Sequence, residues 1–247
     1  MAGRTFAIGD IHGQHDHLRL LLGRLPALTA EDTLVFVGDY LDRGPASREV
    51  IATLCALPGR VPARVVTLRG NHEDGWVRVL ERGWPEFIYP PGNGCYATLT
   101  SFLGRDPGGT LAPGDLDAMA RGSFFPPEVA DWLRALPCWY EDEHALYIHA
   151  TLPRIDGRFV PPREVMDPQP LLWGRSPEFF REYAGPRVVC GHTPTTSLPA
   201  ELSTHTPADP RDLWVHGSVL AVDTGCGTER GFLTAVELPA MRVYESR

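Results

Sequence analysis

Apolar residues in the first third of the chain alternate between two kinds of run. Residues 5–9 (TFAIG), 33–37 (TLVFV) and 64–68 (RVVTL) are short and continuously apolar, the length of strands buried on both faces. Residues 18–25 and 47–57 are longer, with apolar positions spaced for helices, and Ser47 is placed to cap the second. The resulting βαβαβ succession repeats at about 30 residues, the size of one βαβ unit, and predicts parallel strands in an α/β fold. Further strands are expected at 145–148, 187–190, 219–222 and 232–238. Helical pieces are expected near 96–103 and 127–135. The Pro-rich stretches 161–170 and 206–210 read as loops. Residues 84–135, rich in Pro, Gly and aromatics, read as a cap or insertion over the core of a single 1–247 domain.

Composition narrows the class. A chain of 247 residues with 43% hydrophobic and 22% charged residues suits a soluble domain with a sizeable core. The net charge of −8 disfavours nucleic-acid and membrane-surface partners, so an anionic substrate would need a locally positive site. Five scattered cysteines (Cys55, Cys95, Cys138, Cys190, Cys226) with no CxxC pair fit reduced thiols and a cytoplasmic location. The first ten residues lack the apolar region of a signal peptide, and no stretch is long enough to span a membrane.

The candidate chemistry lies where the strands stop. The first three end on Gly9-Asp10-Ile11-His12-Gly13, on Gly38-Asp39-Tyr40-Leu41-Asp42-Arg43-Gly44, and on Arg69-Gly70-Asn71-His72-Glu73. Two later strands end on His149-Ala150 and Gly191-His192-Thr193. Carboxyl ends of neighbouring parallel strands are where α/β folds place ligands. Asp10, His12, Asp39, Asn71, His149 and His192 together form a mixed oxygen and nitrogen donor set for two divalent ions of the manganese, iron or zinc type. Without metal, Asp10, Asp39 and Asp42 would crowd like charges into one crevice. Two divalent ions would leave it positive, which reconciles an acidic chain with an anionic substrate.

In this order and spacing, GDIHG, GDYLDRG, RGNHE, a strand-ending HA and GHT resemble the phosphoprotein phosphatase branch of the calcineurin-like metallophosphoesterases. Stretches such as LPCWYEDEHALYIHA, LLWGRSPEFF and AVDTGCGTERGFLTAVEL are similar to its smaller bacterial and phage-type members. The resemblance implies a β-sandwich flanked by helices and a pair of metals, manganese first and iron or zinc as alternatives. It implies that Asp10 and His12 hold one metal, that Asn71, His149 and His192 hold the other, and that Asp39 bridges them. Arg43 and Arg175 would grip phosphoryl oxygens. His72, oriented by Asp42, would protonate the leaving group after attack by metal-activated water.

The expected substrates are phosphoserine and phosphothreonine in proteins, or small phosphoesters. Symmetrical cleavage of bis(5′-nucleosyl) tetraphosphates is the alternative on the same fold, and a catalytically inactive binding module is a third reading. The physiological substrate and oligomeric state stay open. Outside the constellation, His15 and His17 are expected at the surface or as caps, and His144 and His205 in solvent. His216 is a minor site candidate, and Asn93-Gly94 could line the substrate cleft. Arg69 is read either as a brace for the acidic cluster or as a plain salt bridge.

Overall fold

A computed structural model describes residues 3–105, 111–205 and 209–247. Its first sheet is built on β1 (Thr5–Ile8), β2 (Thr33–Phe36) and β3 (Arg64–Thr67), which pair in parallel as the sequence predicts. The helices α1 (His15–Arg24) and α2 (Ser47–Ala56) make the crossovers. A third helix, α3 (Asn71–Arg82), follows β3 directly and was not expected. The middle of the chain folds as α4 (Pro85–Ile88), α5 (Cys95–Leu103), α6 (Asp115–Arg121) and α7 (Pro127–Ala135).

The second sheet begins with β4 (Trp139–Glu141) and β5 (Leu146–Ile148), followed by a small hairpin of β6 (Arg154–Ile155) and β7 (Arg158–Phe159). Next come α8 (Gln169–Trp173), α9 (Pro177–Glu182), β8 (Val188–Cys190), β9 (Trp214–His216) and β10 (Val219–Ala221). The chain closes with β11 (Thr234–Leu238) and β12 (Arg242–Glu245), which return to the first sheet. The strand orders are β12-β11-β1-β2-β3 and β4-β5-β8-β10-β9.

Side-chain alternation explains why these strands read as continuous apolar runs. In β1, Phe6 and Ile8 pack toward the helices while Ala7 faces the other sheet. In β10, Leu220 faces the first sheet and Val219 and Ala221 the outer layer of α9. Both faces of both sheets are covered, so no position needs to be polar. The sandwich core runs through Val35, Tyr147, Val189, Leu220 and Val236.

Several local expectations are corrected. Ser47 is the first buried residue of α2 rather than its cap, which is Ala46. The stretch 161–170 contains a 3-10 turn, Pro162–Glu164, and the start of α8. Of the loop expected at 206–210, residues 206–208 lie outside the described residues. The edge strands β4, β9 and β12 were not expected. They are short and only part-buried, so their apolar signal is weak.

Candidate active site

The three motifs of the first sheet meet at the carboxyl ends of β1, β2 and β3, and the second sheet delivers His149 after β5 and His192 after β8 to the same place. The backbone there is unusual. Among the described residues, seven non-glycine positions have positive φ, and five of them are His12, Asp39, Asp42, Arg43 and His192. Left-handed backbone is costly for side chains with a Cβ and persists where the surroundings enforce it, typically at functional sites. Close approach is part of that enforcement. Gly38, at φ 112°, leaves no room for a Cβ, which would lie 2.6 Å from the Gly70 backbone and 2.9 Å from His149 Nδ1. A Cβ at Gly191 would lie 2.1 Å from Asp10 Oδ1.

Asp39 sits at the centre. His12 Nε2 approaches its Oδ2 at 3.5 Å, and His149 Nε2 approaches its Oδ1 at 3.3 Å from the other side. The second nitrogens of both rings are engaged: His12 Nδ1 lies 3.0 Å from the Leu41 carbonyl and His149 Nδ1 lies 2.9 Å from the Val37 carbonyl. Carbonyls only accept, so each Nδ1 carries the hydrogen and each Nε2 turns a lone pair toward the carboxylate. Burial depresses both histidines below their usual range, and Arg43 lowers His12 further. Asn71 Oδ1 meets His149 Nε2 at 3.0 Å and His192 Nδ1 at 2.8 Å. Burial pushes His192 down to about 2, with His149 adding to the shift. Neutral imidazoles aimed at buried oxygens are the donor set of a cation site.

Two buried groups fit such ions, His12–Asp39–His72 and Asp39–His149–His192, each with donor atoms within 4.8 Å of one another. The carboxylates agree. Burial raises Asp10 well above the usual carboxylate range, and Asp223 and Asp39 add to it. The crowding expected among Asp10, Asp39 and Asp42 is thus met with Asp223 in the place of Asp42, which is paired with His72 instead, and divalent cations would offset it.

The six expected ligand residues are thus brought together, but not all in the expected way. The Asp10 carboxylate accepts the His192 amide at 3.0 Å and stands outside both compact groups. His72 stands inside the first, with Nε2 3.9 Å from Asp39 Oδ2. Its Nδ1 is 2.7 Å from Asp42 Oδ2. Burial would lower the pKa of His72, but Asp39 and Asp42 outweigh it and hold the ring above its usual range. Asp42 is itself fixed by Thr98 Oγ1 at 2.6 Å and Trp76 Nε1 at 3.0 Å.

The two arginines act on different histidines of the centre. Arg43 places NH1 2.7 Å from His12 Nε2 and NH2 3.4 Å from His72 Nε2. Arg175, exposed at the end of α8, acts electrostatically on His149, His192 and Asp223.

Two residues escaped the sequence reading. Glu73, only a flanking residue there, is fully buried and accepts the amides of Gly70, Asp39, Tyr40 and Leu41 at 2.8–3.3 Å. It ties the start of α3 to the Asp39 turn, and burial with Asp39 nearby pushes it up to about 7. Asp223, raised to about 6 chiefly by burial, ends β10 in the same manner as the other motifs. The apolar run stopping on Asp223-Thr224-Gly225 was the signal for it.

The remaining candidates lie elsewhere. His216, on the edge strand β9, has Nδ1 3.2 Å from the Leu202 carbonyl. His144 is nearly buried against the Gly3 carbonyl at 2.8 Å, not solvated, and His205 is half-buried. His15 and His17 tether α1 to Thr53 and Ser246. Arg69 makes the plain salt bridge of its two readings, with Asp74 at 4.0 Å, and donates to the Arg134 carbonyl at 2.6 Å, bracing α7 rather than the acidic cluster. Asn93 donates to the Phe87 carbonyl and Gly94 packs on the Arg43 backbone, so this pair supports the Arg43 turn.

The family model described as calcineurin-like phosphoesterase matches residues 3–196. The chain belongs to that family. It is therefore one of the phosphoester hydrolases that use divalent metals, and the two His/Asp groups are the residues that could hold them. A relative from Caenorhabditis elegans, named "Putative serine/threonine-protein phosphatase C06A1.3", is 39% identical over 103 residues. The match covers 40% of this chain and 27% of the relative, so the chain spans little over a quarter of that protein's length. Two solved structures share the fold. A "putative diadenosine tetraphosphatase" is 21% identical with a TM-score of 0.60, covering 99% of this chain and 93% of the other. A cold-active protein-tyrosine phosphatase of a Shewanella species is 19% identical with a TM-score of 0.61, covering 99% and 78%. Three substrate names on one fold leave substrate choice to the site. Among the described residues no helix is long and apolar enough to cross a membrane.

Proposed function

We propose that this phosphoesterase is a dinuclear-metal serine/threonine phosphatase that takes phosphorylated proteins as substrates. The observation that carries this reading is the His72–Asp42 pair. Its 2.7 Å contact holds the ring on a buried carboxylate, and, against burial, Asp39 and Asp42 raise its pKa above the usual range, which suits a proton donor. A serine or threonine alkoxide is a poor leaving group and needs that proton, whereas a nucleotide released from a tetraphosphate leaves as a stable anion. The serine/threonine-protein phosphatase name of the Caenorhabditis elegans relative supports the same choice.

In this reading Asp39, Asp10 and His12 would hold one ion, and Asp39, Asn71, His149 and His192 would hold the other. The mixed oxygen and nitrogen set suits Mn²⁺, with Fe or Zn as alternatives. Bound there, two such ions supply Lewis acidity to the phosphoryl group and make water nucleophilic at neutral pH. The chain supplies the rest. Arg43 and Arg175 close on the phosphoryl oxygens and stabilise their charge as the bond breaks. His72 delivers its Nε2 proton to the departing oxygen while Asp42, locked by Thr98 and Trp76, holds the ring on target. The segment around Phe87 acts as a cap: Phe87 packs edge-on against His72 at 5.8 Å and against Trp76 at 5.9 Å, shielding the acid from water. The free cysteines support a reducing, cytoplasmic setting.

Side-by-side assay of a phosphothreonine peptide and diadenosine tetraphosphate with added Mn²⁺ tests the reading. The peptide should be hydrolysed with the higher kcat/KM. Preferential cleavage of the dinucleotide would overturn it.

A further inference from the structure

Beside the proposed phosphate clamp lies a cavity of about 290 Å³ that the reaction itself does not use. Arg175 and Arg181, the latter on α9, line it together with the apolar Phe180 and Leu198 and the hydroxyls of Thr193 and Ser197. Thr193 directly follows His192, so the cavity adjoins the candidate centre.

Two independent features mark this cavity as built for a ligand. First, several exposed arginines are paired, Arg154 with Glu182, Arg158 with Glu164 and Arg121 with Asp117, whereas the two that line this cavity are not. Among the described residues, neither Arg175 nor Arg181 forms an ion pair or a hydrogen bond. Glu178, one turn before Arg181, is instead engaged by Ser176 Oγ at 3.0 Å. In a chain of net charge −8, two arginines without an ion-pair partner lining one cavity make it locally positive. Second, the Oγ1 of Thr193, a residue that lines the cavity, is buried and lacks a partner among the described residues. Buried polar atoms are ordinarily satisfied, so this hydroxyl is short of a partner.

We infer that the cavity is a specificity pocket for an acidic side chain lying one or two residues from the phosphorylated serine or threonine. This rests on the protein-phosphatase reading above. Successive Cα atoms are about 3.8 Å apart, so a neighbouring Asp or Glu can reach the cavity while the phosphate sits between Arg43 and Arg175. Its carboxylate meets Arg181 and Arg175, its methylene stem lies on Phe180 and Leu198, and the Thr193 hydroxyl gains an acceptor. Charge complementarity of this kind sets substrate preference more than turnover.

The test uses phosphothreonine peptides that differ only in carrying Glu, Ala or Lys at the two positions on either side of the phosphoresidue. Wild-type enzyme should prefer the best Glu peptide over its Lys counterpart by at least about tenfold in kcat/KM, mostly through KM. Arg181→Glu should abolish or reverse that preference. The variant should hydrolyse p-nitrophenyl phosphate at the wild-type rate, which shows that fold and catalytic centre are intact. Equal rates on Glu and Lys peptides, or an unchanged preference in Arg181→Glu, would overturn the pocket assignment alone. Failure to hydrolyse any phosphothreonine peptide while diadenosine tetraphosphate is cleaved would overturn the phosphatase reading and the pocket with it.

Discussion

The two sheets serve one centre by different means. The first sheet delivers its residues on tight turns that carry several functional side chains each, with left-handed backbone at His12, Asp39, Asp42 and Arg43. Glu73 holds four amides of these turns, and Thr98 and Trp76 hold Asp42. The second sheet delivers His149 and His192 almost singly, and both are oriented from across the sandwich. The Val37 carbonyl receives the His149 ring, and the Asp10 carboxylate receives the His192 amide. The first sheet is therefore the template, and the second docks its ligands onto it. Damage to the first should reach both metal positions, and damage to the second should stay local.

The largest effect separates proton transfer from the template. His72→Asn should cost roughly 10²–10⁴-fold in kcat on a phosphothreonine peptide. On p-nitrophenyl phosphate, whose phenolate leaves without help, the loss should be at least about tenfold smaller. Equal losses at equal metal occupancy would mean that His72 serves the metals, as its place beside His12 and Asp39 allows. On the second-sheet side of the comparison, Arg175→Ala should lower kcat/KM by about 10²-fold, in the range of a lost transition-state donor. Metal content should be unchanged, and its loss in a folded variant would reassign Arg175.

Glu73→Gln addresses the template itself. A neutral amide cannot accept four N–H groups as a carboxylate does, so activity and metal affinity should fall about 10–100-fold. Both metal positions should weaken together. Selective loss of one, read by metal titration, would break the template picture.

The same asymmetry governs what was legible in the sequence. GDYLDRG and RGNHE announce themselves because the proposed bridge, orienter and clamp are contiguous, and the alternation of β1, β2 and β3 places them side by side. His149 and His192 gain meaning only from convergence with the rest, and Asp223 was missed because a lone aspartate after a strand is ordinary turn chemistry. The helix α3 was missed because its first turn is the motif itself: Asn71 and His72 are helical, and Gly70 is the cap. Residues 84–135 were the least legible. Their helices are short, and their order comes from long-range aromatic contacts such as Trp76 with Phe124 and Phe125 at 5.3 and 5.1 Å. Ser47 shows the same limit, since its hydroxyl accepts the Asp42 amide at 3.2 Å instead of capping α2.

The smallest effect lies at the far end of the first sheet, where disturbance should leave the centre alone. Burial alone would raise Asp32, but Arg4 at 2.6 Å and the amides of Thr29 and Arg4 outweigh it and bring it down from 3.8 to about 2. A depressed folded-state pKa stabilises above the unfolded value and is lost as pH falls from about 4 through about 2. The pH-dependent difference in stability between wild type and Asp32→Asn should be about 2 kcal/mol at pH 5 and vanish near pH 2, as urea unfolding would show. Activity at neutral pH should barely change. A difference in stability that does not vary with pH would remove the Arg4–Asp32 pair from the account.

The central claim is that one carboxylate from the first sheet, Asp39, unites two metal positions, the second completed by the other sheet. Elemental analysis of the Mn²⁺-loaded chain and of Asp39→Asn measures it directly. The account predicts two metals per chain in the wild type, and loss of both with more than about 10³-fold loss of activity in the variant. Active enzyme without bound metal, or an Asp39→Asn variant that keeps both ions, would contradict it.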